Sequence, residues 1–239
     1  MIQFRFGLTP VNDIQPWGGD TPSLSWFSLT DGWYDMVADG HHLLRYTDGT
    51  CVDYYVVRLW EDVLDALPEA LEPVPSELVA FVAGDSTAWL SADSPDADAA
   101  ATWYGQHGLD TGYLRLAPGI RWWRTVGDGG DRMTVAWTYD PDEAHEFTAP
   151  ATGRVTVPTS DFLAAVTTLD RDLFAAMEER VTALEADGPP PGVEIDLTHL
   201  RHEQRDRATW LRRALERPCD TDWAAVRAGA RLLPAVPPP

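Results

Sequence analysis

Two adjacent histidines, two arginines set among tryptophans, and a histidine pair three residues apart are the side chains whose types and spacing could do chemistry. In GHHLLRY, His41 and His42 lie on a β-prone run, so they point to opposite faces, and one is expected inward near Arg45 or Tyr46. An inward histidine beside aromatic strands is a candidate general base at neutral pH, although more such residues are satisfied core histidines. In IRWWRT, Arg121 and Trp123 share one face, and Trp122 and Arg124 the other. Either arginine is a candidate clamp for a carboxylate or phosphate through its rigid fork of donors. The competing reading is an exposed strand face with cation–π packing. In HLRHEQRD, His199, His202 and Asp206 share one helix face and make a weaker candidate set for zinc or iron. The motif is not His-Glu-x-x-His, and the arginines at 201, 205 and 207 suit a solvated, salt-bridged face.

A fourth stretch, WFSLTDGWYDM, crowds Trp26, Trp33 and Tyr34 around Asp31-Gly32. With Trp17 and Asp20 just upstream, Trp26, Asp31, Trp33 and Tyr34 are the candidate binding residues. Alternation sends Phe27 and Leu29 to the core and leaves at least one of Trp26, Trp33 and Tyr34 for a ligand or partner. The acidic runs GDGGDR (Asp128, Asp131) and DSPDADA (Asp93, Asp96, Asp98) do not match a helix-loop-helix calcium loop. They read as a hairpin turn and a helix start.

Several classes drop out. The 18 basic residues are all Arg, so neither a phosphate-loop lysine nor a Schiff-base lysine exists. AGDSTAW is not a nucleophile elbow, and GDGGDR lacks the context of a dinucleotide fingerprint. No cofactor is expected. With 38 acidic residues the formal charge is −20, which repels nucleic-acid phosphates and would steer a basic protein partner. Cys51 and Cys219 are isolated, without CxxC spacing, and read as reduced thiols. The start MIQFRFGLTP has no basic region followed by an apolar run, and nothing reaches the roughly 18 apolar residues of a membrane span. A cytoplasmic protein without membrane contact is the expectation.

The elements that must position these residues follow from hydrophobic period. Ile2, Phe4, Phe6 and Leu8 alternate as a strand. Asp-Gly at 31–32, 39–40 and 48–49 punctuates three further β-prone runs, giving a four-stranded antiparallel meander. Val56, Leu59, Trp60, Val63, Leu64 and Leu67 recur at helical spacing over about 53–67, and Pro68 is expected to break the helix. A short helix in PSELVAFVAG and one opening at Ser94-Pro95 follow. A second β region runs through TGYLRL, IRWWRTV, RMTVAWTY, HEFTAP and GRVTVP, with a hairpin at GDGGD. From Ser160 a helix of about 25 residues should cross a whole domain and stop at GPPPG. Two more helices precede the frayed tail PAVPPP. The expectation is an α+β fold in one unit, 1–233, with antiparallel sheet, middle helices and long C-terminal helices packed on the sheet.

The stretches FRFGLTP, PWGGD, LSWFSLTDGWY, GHHLLRY, YYVVRLWEDVLDALP, IRWWRT, GRVTVPTSDFLAAV and ATWLRRALE together resemble an uncharacterised family of high-GC Gram-positive bacteria, a domain of unknown function. The resemblance covers about Ile2 to Leu233, implies one unit and carries no catalytic residues. In style the opening is also similar to immunity proteins and other small bacterial interaction modules. Two readings therefore stand. One is an acidic binding module, of immunity or inhibitor type, for a basic protein. The other is a small-molecule enzyme with a Trp-lined pocket, a base at His41 or His42, and an anion clamp among Arg45, Arg121 and Arg124.

Overall fold

The computed structural model describes residues 1–86, 89, 94–140, 142 and 144–233; Asp93 and the tail 234–239 lie outside them. Alternation places Ile2 and Phe4 of β1 (Ile2–Leu8) in the core and turns Gln3 and Arg5 the other way. β1 pairs antiparallel with β2 (Gly32–Ala38), Arg5 opposite Asp35 and Gly7 opposite Trp33. At Asp39-Gly40 both residues take positive φ, 49° and 86°, the geometry a two-residue hairpin turn demands. β3 (His41–His42) then pairs with the end of β2, and β4 (Val52–Asp53) returns to pair with its start. The first sheet is thus four-stranded and antiparallel.

Its strands differ from the expected meander in two respects, the first being that β4 pairs with β2 rather than with β3. The run before Asp31-Gly32 is a turn and a 3-10 helix at Ser28–Thr30, so Gly32 enters a strand and closes no hairpin. Local bonds decide this. The Ser28 hydroxyl accepts the Ser25 N–H at 2.7 Å, and the Thr30 hydroxyl donates to the Phe27 carbonyl at 2.7 Å, offering the backbone an alternative to a ladder.

α1 (Val56–Leu71) begins later than expected and continues through Pro68. That proline sits in the final turn, where a single intrahelical donor is forfeited. α2 (Val79–Val82) and α3 (Pro95–Gly105) follow, with Pro95 at the first helical position. TGYLRL and HEFTAP, expected as strands, are turns, bends and a 3-10 turn at Ala144–Glu146. The second sheet therefore has three strands, β5 (Gly119–Gly127), β6 (Gly130–Thr138) and β7 (Thr152–Pro158), with the expected hairpin turning at Asp128-Gly129.

α4 (Thr159–Asp187) spans 29 residues, about 44 Å at 1.5 Å per residue. Its buried stripe runs Phe162, Val166, Leu169, Leu173, Met177, Val181 and Leu184, and the helix touches β1 of one sheet and β6 and β7 of the other. Gly188 ends it at φ 79°. The expected single helix after it is two, α5 (Leu197–Arg207) on α4 and α6 (Trp210–Glu216) on α1. α7 (Trp223–Leu232) packs on α3, forming a second apolar cluster with Phe81, Trp103, Tyr104, Trp123 and Val226.

His107 lies between these layers, fully buried, its Nδ1 2.8 Å from the Trp103 carbonyl. Burial pushes its pKa down to about 4, against the pull of that carbonyl and with help from Arg121. The unfolded chain takes up this proton near the ordinary histidine value, about 6.5, so stability is complete above that pH and lost as pH falls toward the folded value. Urea titrations should show a loss of up to about 3 kcal/mol assignable to this residue. His107→Asn keeps a donor for the Trp103 carbonyl and should flatten that part of the profile; an unchanged slope would count against a buried neutral imidazole.

Candidate functional site

The face of the first sheet turned away from the core carries a groove of about 1050 Å³. Register builds it. On β2, Gly32, Tyr34, Met36 and Ala38 share the core face, so Trp33, Asp35 and Val37 point to the other. Arg5 is paired with Asp35, His42 with Val37 and Asp53 with Trp33, which puts all of these on the groove face. Trp33 is 43% exposed and lies over Gly7, where a Cβ would stand 2.5 Å from the indole nitrogen.

β3 and β4 share one edge of β2, and neither supplies a partner to Asp35 or Met36 in the registered pairs. The Asp35 carboxylate, 2% exposed, stands at this interruption. It accepts the Leu44 N–H at 3.1 Å and lies 2.5 Å from His42 Nδ1. A carboxylate has no proton to give, so Nδ1 is the donor and Nε2 is left as the basic nitrogen. Among the described residues Nε2 of His42 has no hydrogen-bond partner, and the ring lines the groove.

Residues 43–51 rise from the sheet as one wall. Arg45 bridges Cys51, and at the tip Asp48 accepts the backbone and hydroxyl of Thr50 at 2.8 and 2.7 Å. The wall is tied down by the Thr47 N–H on the Glu146 carbonyl and the Thr148 N–H on the Arg45 carbonyl. Leu8, Thr9 and Pro10 line another side, and Arg115 and Leu116 complete the lining.

Three arginines therefore line the groove, Arg5, Arg45 and Arg115, and none makes an ion pair among the described residues. Arg5 is held by the Gln3 side-chain oxygen Oε1 at 2.6 Å, and Arg45 by the Gly49 backbone carbonyl at 3.3 Å. Asp48, Asp53 and Glu146 also line the groove. Cys51 is no ready nucleophile: burial and Asp35 push its thiol up, although Arg45 draws it down. Chemically, the arrangement can hold an anionic group and exchange a proton with it through His42.

Of the residues singled out in the sequence, the groove gathers His42, Arg45 and Trp33. His41 is on the opposite face, 5.6 Å from Trp137. Arg121 lies over the Tyr104 ring at 3.6 Å and donates to the Gly84 carbonyl. Arg124 is spent on a two-pronged pair with Asp131 at 2.6 and 2.7 Å, which holds that carboxyl at about 2. Trp26 and Tyr34 are core: Trp26 gives its N–H to Gln204 at 2.7 Å, and Tyr34 reaches Tyr113. Phe27, expected in the core, is only half-buried against Trp17 and Tyr55.

Trp17, 52% exposed, also bonds the Tyr55 hydroxyl, away from the groove. Asp20 is on an exposed loop, and the Asp31 carbonyl is taken by Thr9. His199 pairs with Glu203, and Asp206 is occupied by Trp210 and Arg213. Among the described residues no three His, Cys, Asp or Glu side chains gather as a metal site. Sequence reasoning missed Asp35, Arg5 and Arg115. A lone acid in GWYDMVA, two residues from the partner of His42 across the Asp39-Gly40 turn, was the available signal for Asp35; Arg115 had none.

The molecule is thus an α+β protein of two antiparallel sheets with one large polar groove. Residues 3–229 match the model of a family of unknown function, DUF5984, and the chain belongs to that family. No curated protein and no solved structure matches it.

Asp35→Ala should lower stability by about 2–4 kcal/mol, since it strands a buried backbone N–H as well as His42. Asp35→Asn keeps an acceptor for Leu44 and should cost about half as much. Equal denaturation midpoints for wild type and Asp35→Ala would show that the carboxylate does not hold this part of the sheet together.

Proposed function

We propose that the chain binds a small molecule bearing a carboxylate or phosphate in the groove of the first sheet, and that His42 exchanges a proton with it. The observation that carries this is a groove lined by three arginines without ion pairs among the described residues and by a histidine whose Nδ1 is held by a buried carboxylate. Orientation of an imidazole by Asp35 is how a general base is set up, and an arginine free of carboxylates keeps N–H donors for a ligand. We take 1–233 as one unit, since α4 contacts both sheets and α1. We place the protein in the cytoplasm because Cys51 and Cys219 are free thiols.

A second reading, docking of a basic protein, is favoured by the charge of −20 and by the half-exposed rings of Trp17 and Trp33. Salt-sensitive capture of such a partner, weakened by Trp17→Ala, would support it over the first.

The test of the first reading is a thermal-shift and calorimetric screen of mono- and dicarboxylates and phosphate monoesters. A ligand should raise the melting temperature, and Arg45→Ala or Arg115→Ala should each weaken it about tenfold, the worth of one charge-assisted bond. If no compound in either class binds, or the double variant binds as tightly as wild type, the proposal fails.

A further inference from the structure

The second sheet carries, on its face away from α4, a cleft of about 530 Å³ that shares no lining residue with the anion groove. We propose that this cleft binds a flat aromatic monocarboxylate, its carboxylate on the free edge of Arg121 and its ring over Ala136, flanked by Arg154.

Strand register builds the cleft. Trp122 points to the core, where it meets Phe162 of α4, so Arg121 and Trp123 stand on the other face. Directly opposite residues share a face, and Arg121 is opposite Ala136, which in turn is opposite Arg154. One row across three strands thus sets two arginines on either side of an alanine, their Cα atoms about 10 Å apart. The next row, Gly119, Thr138 and Thr152, is also short, so the slot continues in that direction, while Trp123 bounds it in the other. Residues 82–86 form the wall above. The Gly84 carbonyl pins that wall by accepting both the Tyr104 hydroxyl at 2.8 Å and Arg121 Nη1 at 3.2 Å.

Arg121 points to an anion. Its guanidinium lies on the Tyr104 ring, 3.6 Å from the centroid, which leaves its edge for further bonds. Along that edge Nη1 is given to Gly84 and Nε is buried without a partner. Nη2 has no hydrogen bond among the described residues and, unlike Nε, remains accessible to solvent. Arg121 makes no ion pair among the described residues. Burial pulls its pKa down, against Tyr104 and Asp85, so the cation is desolvated without full compensation. Arg154 is exposed and makes neither an ion pair nor a side-chain hydrogen bond among the described residues. A carboxylate supplies the acceptor that this row lacks.

The lining sets the body of the ligand. Val82, Ala83 and Ala136 are aliphatic, and Tyr104 and Trp123 add aromatic surface. A slot one strand wide between two long side chains admits a flat group, and a ring held there presents its face to a guanidinium. Two arginines against Asp85 leave one positive charge in the lining, which a monoanion matches. The volume falls within the range of small-molecule pockets, about 300–1,000 Å³.

The experiment is calorimetric titration of the intact chain with 2-naphthoate, with 2-naphthamide as the neutral control. The carboxylate should bind, and the amide should bind at least about tenfold more weakly, the worth of one charge-assisted bond. Arg121→Gln, which keeps a donor for the Gly84 carbonyl, should weaken 2-naphthoate by at least about tenfold. Ala136→Leu fills the slot and should abolish binding; it provides the check should Arg121→Gln not fold. At the exposed position, Arg154→Gln should weaken binding severalfold with an unchanged melting temperature. No binding of 2-naphthoate, equal affinity for the amide, or undiminished binding by folded Ala136→Leu would overturn the proposal. Binding lost in Arg45→Ala and kept in Arg121→Gln would also overturn it, by placing the ligand in the anion groove, so the two readings fail separately.

Discussion

The single apolar stripe of α4 is the constraint from which the rest of this structure follows. Seven side chains on one face of a 29-residue helix must be buried, and no sheet of short strands is long enough to cover them alone. Two sheets share the task, β1 taking one portion and β6 and β7 another. The same helix positions the groove wall directly. Arg180 turns from α4 to donate to the Thr9 and Leu29 carbonyls, a partly buried guanidinium whose desolvation is offset by two charge-assisted bonds. Thr9 lines the groove, and Leu29 closes the 3-10 turn that leads into β2.

Two buried aspartates show opposite solutions to the same cost. Asp35 is met on both oxygens, by a backbone N–H and by an imidazole, where it stands beside an interruption in strand pairing. Asp62 is met by Arg58 and the Tyr113 hydroxyl but stays short of full compensation, and burial raises its carboxyl to about 7. In the folded chain it therefore keeps a proton that the unfolded chain releases above about pH 4, so it favours folding less as pH rises toward neutrality.

Arginine does two kinds of work in this lysine-free chain. Arg124 with Asp131, Arg201 with Glu178 and Glu185, and Arg207 with Glu61 act as rivets between elements. Arg207 also lies over Trp26 and Trp210, so its fork and its flat face are both used. Arg5, Arg45 and Arg115 have no such carboxylate, and they meet at the one groove that also holds an oriented histidine. Residue type does not distinguish the two groups; only the presence of an acid within reach does.

By itself the sequence determined the α+β class, the antiparallel pairing, the alternation of β1, the hairpins at Asp39-Gly40 and Asp128-Gly129, and the long helix with its stripe. These are set by period and by glycine-tolerant turns, which act over a few residues. It misread the stretch before Asp31, where serine and threonine side chains capture the backbone, and the end of α1, where one proline was tolerated. Of the site, His42, Arg45 and Trp33 were legible as chemically capable residues on a strand or beside one. Their meeting with Arg5 and Arg115, the burial of Trp26 and Tyr34, and the diversion of Arg124 to Asp131 were decided by tertiary structure. The reason is physical: a side chain's face follows from local period, but its partner comes from segments far away in the chain, and only their packing brings charge to charge.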